Sequence, residues 1–360
     1  MHLLNNFYFS IYGVSLFLVL VLALCAQEVK SNALSYYSLL VTWFVTSVLF
    51  GLRDVTTGTD TATYVNWFSF LKDYGDTRNF EWIFSKLGYI IVNYFSQPAL
   101  FLYIIFLLTA IFLFLSFRKC FGIKLSALAC VLFIVFMPGL DLFVNGIRNG
   151  LALAIASYGC VLYLKEKRKA YSLFLIAVST GVHSSSIIFL VIYLMPFINR
   201  LAKPYLLLLI YMVVFLLEQV GLFNALFNVL AHYSGSHIIN RILAFKYQQS
   251  DMFSGFIKYY FFILSLIPAY CFYRDKNKVI PEMAISLYYV VMTPYAFIFS
   301  APSSYRFSYI GYFFFIVIIC YYLSSKVQNK RMLWYAFFIG MLFITYSTNT
   351  VSKFEFNLIS

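Results

Sequence analysis

Charge is scarce in this sequence: only 11% of its 360 residues are charged, against roughly 25% in an ordinary soluble domain. Hydrophobic residues make up 62% and the mean hydropathy is +0.84, so the chain cannot cover its surface with polar groups in water. Apolar runs near ~20 residues recur along the whole length, which excludes a soluble enzyme with one anchor. Alternating segments of about ten residues, typical of an outer-membrane barrel, are missing. The sequence therefore predicts one polytopic all-α transmembrane domain over residues 1–360.

Cysteine pairs are missing as well. The six cysteines lie in apolar runs or at their basic ends, and none forms a Cys-x-x-Cys pair. We therefore expect neither a disulfide framework nor a metal site, and no cofactor. A Gly-x-Ser-x-Gly elbow is also absent, which removes the usual signature of a serine hydrolase.

Apolar runs place the membrane spans. The predicted spans lie at about residues 7–26, 33–52, 98–117, 125–143, 148–164, 204–223, 254–273, 280–300, 304–323 and 332–348. The apolar stretch 170–198 has basic residues on both sides, which predicts a short helical hairpin returning to the same face. The loop 53–97 contains a shorter apolar segment, expected to be re-entrant or interfacial. We therefore expect about 10–12 transmembrane helices, some of them broken or re-entrant.

The placement of Lys and Arg predicts the orientation. They concentrate in short segments around Lys30, 118–124, 165–169, 200–203, 274–278 and 326–331. By the positive-inside rule this face is cytoplasmic. The formal charge of +13 then follows from topology, so no nucleic acid is expected as a partner. The most polar loops fall on the opposite face, including 224–253, which we interpret as a solvated external loop. An active site is expected to face outward.

The first external loop has an arginine close to a polar turn. Arg53 follows the second predicted span, and Gly58, Asp60 and Tyr64 come soon after it. The planar guanidinium of Arg53 could bind a phosphate, and Asp60 could accept a proton. An interfacial Arg–Asp ion pair is the simpler alternative.

Two further arginines stand at the external starts of predicted spans. Arg148 and Asn149 begin a helix rich in small residues, and Arg306 lies three residues before Tyr309. Helix amides beside Arg148 would add to its attraction for an anion. With Arg53, these arginines could converge on one anionic group. Snorkelling at the interface is the alternative.

A histidine lies among small polar residues at the predicted tip of the 170–198 hairpin. His183 follows Gly181 and Val182 and precedes three serines. Imidazole suits proton transfer near neutral pH. A structural histidine in a Ser-rich turn is an equal alternative.

The order of these features resembles the EpsG-like branch of the Wzy polysaccharide polymerases. The quoted residues are Arg53, Gly58, Thr59, Asp60 and Tyr64, then Ile147, Arg148 and Ala152, then His183, Ser184 and Ser185, then Arg306, Phe307 and Tyr309. The pattern spans residues 51–309. Members of the family often have Gln after the middle arginine, where this chain has Asn149.

The resemblance implies a GT-C-like membrane glycosyltransferase. It would polymerise oligosaccharide repeat units, carried on undecaprenyl diphosphate, on the outer face of the bacterial cytoplasmic membrane. Arg148 and Arg306, with Arg53, would bind the diphosphate, and His183 or Asp60 would deprotonate the acceptor hydroxyl. Metal-independent transfer is expected because the arginines can compensate the charge that Mg²⁺ compensates elsewhere.

Weaker expectations concern the sugars and the partners. Sugar contacts would come from residues near the arginines and the aspartate, namely Tyr64, Asn149 and Tyr309. The partners would be the lipid-linked glycan and the bilayer, with a chain-length regulator as a further candidate. A lipid-linked oligosaccharide flippase, an O-antigen ligase and an external acyltransferase remain as alternative functions.

Overall fold

The computed structural model describes residues 2–53, 60–223, 225–226, 228–229, 252–275, 278–299, 305–324, 334–335 and 337–340. The chain divides into two compact units, which are described separately. The first comprises Met1–Leu190 with Lys326–Ser360, and the second comprises Val191–Ser325.

Eight α-helices form the described part of the first unit. They are α1 (His2–Val29), α2 (Asn32–Thr46), α3 (Thr61–Tyr74), α4 (Trp82–Tyr94), α5 (Pro98–Val135), α6 (Met137–Val144), α7 (Ile147–Glu166) and α8 (Lys169–Val182). A π-helical turn, Ser47–Gly51, extends α2, and a 3₁₀ helix, Ser184–Tyr193, follows α8 across the boundary of the two units.

The second unit contains five described α-helices. They are α9 (Met195–Leu201), α10 (Pro204–Gln219), α11 (Met252–Arg274), α12 (Glu282–Phe297) and α13 (Tyr305–Ser324). Most of the predicted external loop 224–253 lies outside the described residues, as does most of the last predicted span, 332–348.

The predicted all-α polytopic membrane fold is confirmed. Four helices among the described residues are long and apolar enough to cross a membrane: Asn32–Gly51, Pro98–Ile134, Ile147–Glu166 and Arg306–Ser324. A fifth span results if the bent pair Ser184–Tyr193 and Met195–Leu201 counts as one. Other apolar helices among the described residues have 10–17 residues, and several predicted spans lie partly or mostly outside the described residues, so the expected number of 10–12 stays a prediction.

One glycine divides the longest helix. An α-helix of 38 residues, the length of α5, would extend about 57 Å, nearly twice the roughly 30 Å of the bilayer core. Gly122 interrupts it with φ 71° and ψ −171°, a conformation that glycine adopts without a Cβ clash. The break falls in the basic segment 118–124, where the sequence predicts a turn between two spans.

A second break was not expected. The span predicted at 125–143 ends at Val135, Phe136 adopts an extended conformation (φ −77°, ψ 145°), and α6 begins at Met137. At this break Gly139 lies so close to the preceding turn that a Cβ would be 1.6 Å from the carbonyl oxygen of Phe133. Pro138, which has no N–H to donate, stands in the first turn of α6.

Aromatic rings fill the core beside the candidate site. Trp67 and Phe68 of α3 pack on Phe84 of α4 and Phe101 of α5, and all four side chains are essentially inaccessible. The Phe68 and Phe101 rings stack with centroids 4.7 Å apart. This cluster fixes α3 and α4 against α5, and it thereby fixes the turn that joins α3 to α4.

In the second unit, buried hydroxyl groups connect three helices. Tyr211 of α10 hydrogen-bonds Ser265 Oγ of α11 at 2.9 Å. Tyr289 of α12 donates to the carbonyl of Ser265 at 3.1 Å. Each of these buried hydroxyls thus has a protein partner, as burial in an apolar bundle requires.

We expect Gly139→Ala to lower the thermal stability of the detergent-solubilised protein. The added methyl group would overlap backbone rather than a mobile side chain, and overpacking of this kind costs about 1–3 kcal/mol, or roughly 1–4 °C in apparent melting temperature for a chain of this length. Gly340→Ala is the matched control, because a Cβ there meets nothing within 4 Å. Equal melting curves for the two variants would contradict the close contact at Phe133.

Candidate active site

One carboxylate joins three segments of the first unit that are far apart in the sequence. Glu81 directly precedes α4, and its Oε2 accepts a hydrogen bond from Nη1 of Arg148, in the first turn of α7, at 2.5 Å. Its Oε1 accepts from the backbone N–H of Ser184, just after α8, at 3.1 Å. The side chains of Glu81 and Arg148 are each 22% exposed. We call Phe80, Glu81, Arg148, His183 and Ser184 the Glu81 cluster.

An aromatic ring covers one face of the Arg148 guanidinium. Its Cζ lies 4.1 Å from the centroid of the Phe80 ring, a distance at which a cation is attracted to the π face. Phe80 packs in turn on Trp67, with 5.0 Å between ring centroids. Because Phe80 and Glu81 are neighbours, a single turn supplies both the aromatic face and the carboxylate that hold Arg148.

A second carboxylate fixes this turn. Asp76 accepts hydrogen bonds from Nε1 of Trp67 at 2.9 Å, from the backbone N–H of Arg78 at 3.1 Å, and from Oγ of Ser85. These bonds tie the end of α3 to the first turn of α4. Burial acts to raise the pKa of Asp76, but the hydrogen bonds from Ser85, Trp67 and the backbone outweigh it, and the net pKa is lowered. Asp76 therefore stays ionised and keeps Phe80 and Glu81 in place.

His183 lies beside Glu81 and is oriented by Ser185. Its Nδ1 accepts a hydrogen bond from the Ser185 backbone N–H at 3.2 Å and lies 3.0 Å from Ser185 Oγ. The distance from Nδ1 to Glu81 Oε1 is 3.9 Å, too long for a hydrogen bond. Ser185 Oγ also approaches Oδ1 of Asn149 at 3.5 Å. The structure thus brings together the arginine and histidine segments that the sequence analysis selected.

The charges in the cluster shift two pKa values, both for groups outside the candidate spans. Burial acts to raise the pKa of Glu81, but the Ser184 N–H, Arg148 and His183 together lower it below its ordinary value. Burial lowers the pKa of His183; Glu81 opposes this shift and Arg148 adds to it. Near neutral pH the favoured state is therefore an ionised Glu81 beside a neutral His183. The contribution of Glu81 and His183 to the free energy of unfolding is therefore complete above their ordinary pKa values. It is lost as the pH falls through their lowered pKa values, because both groups bind a proton more readily in the unfolded chain.

Arg53 has a different environment from Arg148. It is 2% exposed, and its guanidinium donates to the carbonyl of Phe50 at 2.5 Å, the carbonyl of Val144 at 3.0 Å and Oγ1 of Thr61 at 3.2 Å. Burial lowers its pKa to about 10, so it is still charged at neutral pH. Arg53 therefore connects the end of α2, the start of α3 and the end of α6.

The other residues predicted from the first loop lie close to Arg53 in sequence. Asp60 precedes α3, and its side chain makes no capping hydrogen bond to that helix. Tyr64 is 5% exposed and packs between rings, with its centroid 5.8 Å from that of Phe80. Their predicted roles, as base and as sugar contact, stay predictions.

Arg306 and Tyr309 belong to the second unit, in the first turns of α13. The side chain of Arg306 is exposed, whereas Tyr309 is 1% exposed. Their predicted contacts with diphosphate and sugar stay predictions.

Sequence reasoning did not select Glu81, Phe80 or Asp76. Glu81 pairs with residues 67 and 103 positions away, and no local spacing indicates such pairs. The sequence nevertheless contained an indication of the importance of Glu81, because the chain has only 13 acidic residues. A lone glutamate between Phe80 and Trp82, at the start of an apolar helix, is costly unless it has a cationic partner.

Helices able to cross a membrane define a multi-pass membrane protein, and its candidate site is a partly exposed cluster of an arginine, a carboxylate and a histidine. The model of the EpsG family matches residues 36–359, nearly the whole chain, and the protein belongs to the EpsG family. This membership confirms the resemblance stated above and supports, in general terms, a glycosyltransferase-like polymerase of exopolysaccharide or O-antigen. Comparison with curated proteins and with solved structures found no match.

The cluster predicts opposite shifts of the His183 pKa in two variants. Since the Glu81 carboxylate raises this pKa and the Arg148 cation lowers it, Glu81→Gln should lower it further and Arg148→Gln should raise it. NMR titration of the protein with ¹³C-labelled histidine measures both shifts. The chain has four histidines, and loss of a signal in His183→Gln assigns the resonance. Shifts of the same sign in both variants would contradict the arrangement.

Proposed function

We propose that this protein is a membrane glycosyltransferase that joins oligosaccharide repeat units carried on undecaprenyl diphosphate. The family supports polymerisation in general. The predicted topology supports a reaction on the outer face of the cytoplasmic membrane, since the loops that carry the Glu81 cluster belong to the less basic side.

The observation that carries the proposal is the set of donors that Arg148 keeps available. Among the residues that the structure describes, the guanidinium of Arg148 donates one hydrogen bond, from Nη1 to Glu81. Its buried Nε–H has no hydrogen-bond partner in the described part of the chain. Arg53 is the opposite case, because its Nε, Nη1 and Nη2 all donate to protein oxygens. The Arg148 side chain is still partly exposed, and a partly exposed guanidinium at the N-terminal turn of a helix suits binding of phosphate.

In this proposal Arg148 binds the diphosphate and stabilises the charge on the leaving group. The predicted contact of Arg306, in the second unit, with diphosphate stays a separate prediction, and the fully engaged guanidinium of Arg53 does not favour the contact predicted for it. Arg53 also has a positioning role, since it holds the carbonyl of Val144, four residues before Arg148. His183 and Asp60 are candidates for proton transfer, and Tyr64, Asn149 and Tyr309 for contacts with sugar.

Loss of Arg148 should stop polymerisation. In cells lacking the protein, complementation with wild type should restore a ladder of surface glycan, whereas Arg148→Ala should leave glycan at one repeat unit. Arg148→Lys should restore only short ladders, because an ammonium cannot form the bidentate contact. Gel analysis of surface glycan, with a profile of lipid-linked intermediates, measures this.

The matched control for this experiment is Arg168→Ala. Arg168 is also ion-paired, to Glu166 at 2.9 Å, but its side chain is 64% exposed, so the ladder should persist. Polymer that accumulates on the lipid without transfer would identify a ligase instead. Single units retained on the cytoplasmic side would identify a flippase.

Transfer should not require a divalent metal, since arginine supplies positive charge at the diphosphate. With purified protein in liposomes and a lipid-diphosphate-linked repeat unit, the rate in excess EDTA should equal that with Mg²⁺. A metal-dependent glycosyltransferase in the same chelator is the positive control. Complete loss that Mg²⁺ or Mn²⁺ reverses would overturn this part of the proposal.

A further inference from the structure

The side chain of Glu81 is both partly exposed to solvent and held in position by hydrogen bonds. Its two carboxylate oxygens accept hydrogen bonds from different segments. Oε2 accepts from Arg148 in α7, and Oε1 accepts from the backbone N–H of Ser184, which follows α8. It stands at the N-cap position of α4 but makes no capping bond, although carboxylates near helix N-termini commonly cap or favour the helix dipole. Its side chain is therefore directed to the cluster instead of its own helix.

The hydrogen bonds of His183 decide which proton chemistry it can perform. The backbone N–H of Ser185 donates to Nδ1, so Nδ1 carries the lone pair and the neutral ring carries its proton on Nε2. This tautomer presents an N–H donor at Nε2, and its one basic nitrogen is already engaged. His183 in this state is suited to donate to an oxygen, such as a phosphate or sugar oxygen, and is poorly suited to accept a proton.

We propose that Glu81 is the catalytic base of the transfer, an inference that rests on the proposed function. The acceptor hydroxyl gives its proton to a carboxylate oxygen of Glu81 as its own oxygen forms the bond to the anomeric carbon. The bond from that carbon to the lipid diphosphate breaks, and the electron pair leaves with the phosphate oxygen. Arg148 compensates the charge on the departing diphosphate, and Glu81 later returns its proton to water.

The ion pair with Arg148 is compatible with this role. Arg148 and His183 are the titratable groups of the cluster that face Glu81, and Arg148 neutralises its charge. A diphosphate bound to Arg148 adds negative charge near the carboxylate, which raises its proton affinity. Glu81 thus becomes a stronger base only when the donor substrate is present.

Glu81→Gln separates this role from simple positioning of Arg148. Purified full-length protein in liposomes would be given the lipid-diphosphate-linked repeat unit, and binding and turnover would be measured separately. Because the amide removes the anion that competes for Arg148, we expect binding about two- to tenfold tighter. Turnover should fall by about 10²–10⁴-fold, the usual contribution of a general base. A positioning role predicts weaker binding instead.

Rescue gives a second readout. Formate should restore part of the turnover of Glu81→Ala, since a small carboxylate can occupy the space of the lost one, and it should not rescue Arg148→Ala. Glu166→Gln is the matched control, because Glu166 is also ion-paired, to Lys119 and Arg168, and is 23% exposed. Its turnover should equal wild type.

The outcomes distinguish the two proposals. If wild type forms no polymer from the lipid-linked unit, the proposed function fails. If wild type polymerises and Glu81→Gln retains its turnover, or if Glu81→Gln loses binding together with turnover and formate does not rescue Glu81→Ala, Glu81 is not the base. A His183→Gln variant that loses turnover and that formate or imidazole restores would assign the base to His183 and overturn the inference.

Discussion

An arginine in a largely apolar helical protein has to find oxygen atoms, and this requirement organises the first unit. A guanidinium has five N–H donors, and each buried donor without an acceptor is costly. Arg53 meets the requirement within the protein, on two backbone carbonyls and a threonine hydroxyl. Arg148 meets it in part, with one carboxylate and the face of one ring. The first arginine thus has all its nitrogens hydrogen-bonded within the protein, whereas the Nε–H of the second has no hydrogen-bond partner among the described residues.

A short chain segment links the contacts of Arg53 to the position of Arg148. The carbonyl that Arg53 holds belongs to Val144, at the end of α6, and α7 begins with Ile147 and Arg148 only a short turn later. On the other side, Asp76 fixes the turn that presents Glu81. The ion pair is therefore positioned from both sides by polar contacts, which are buried at Arg53 and part-buried at Asp76. Electrostatic stabilisation depends on such preorganisation, because the groups need not reorient when charge develops.

Local patterns in the sequence predicted the helical membrane class and a turn within 118–124, where the structure has Gly122. They also selected Arg148 and His183, which the structure places in one cluster and whose roles stay predictions. These features depend on hydropathy, on glycine and on cations at predicted helix ends, which neighbouring residues reveal. The break at Phe136 was missed because the mostly apolar run 125–143 was assigned as one span despite Pro138 and Gly139, and hydropathy does not register a close approach of two backbones at Gly139. Glu81 was missed because its partners come from α7 and α8, and only the tertiary fold brings them to it.

The close contact at Gly181 leaves little space for a larger side chain between α8 and α4. A Cβ at this position would lie 2.6 Å from Cδ1 of Ile83 and 3.0 Å from Nε1 of Trp82, so the last turn of α8 rests directly on the first turn of α4. Because Gly181 has no side chain, the segment that carries Ser184 can approach the segment that carries Glu81 closely. A bulkier residue would have to displace the Ile83 and Trp82 side chains or separate the two segments, and separation would lengthen the 3.1 Å hydrogen bond from Ser184 to Glu81. The absence of a side chain at Gly181 thus allows the close approach of α8 and α4 that places Ser184 beside Glu81.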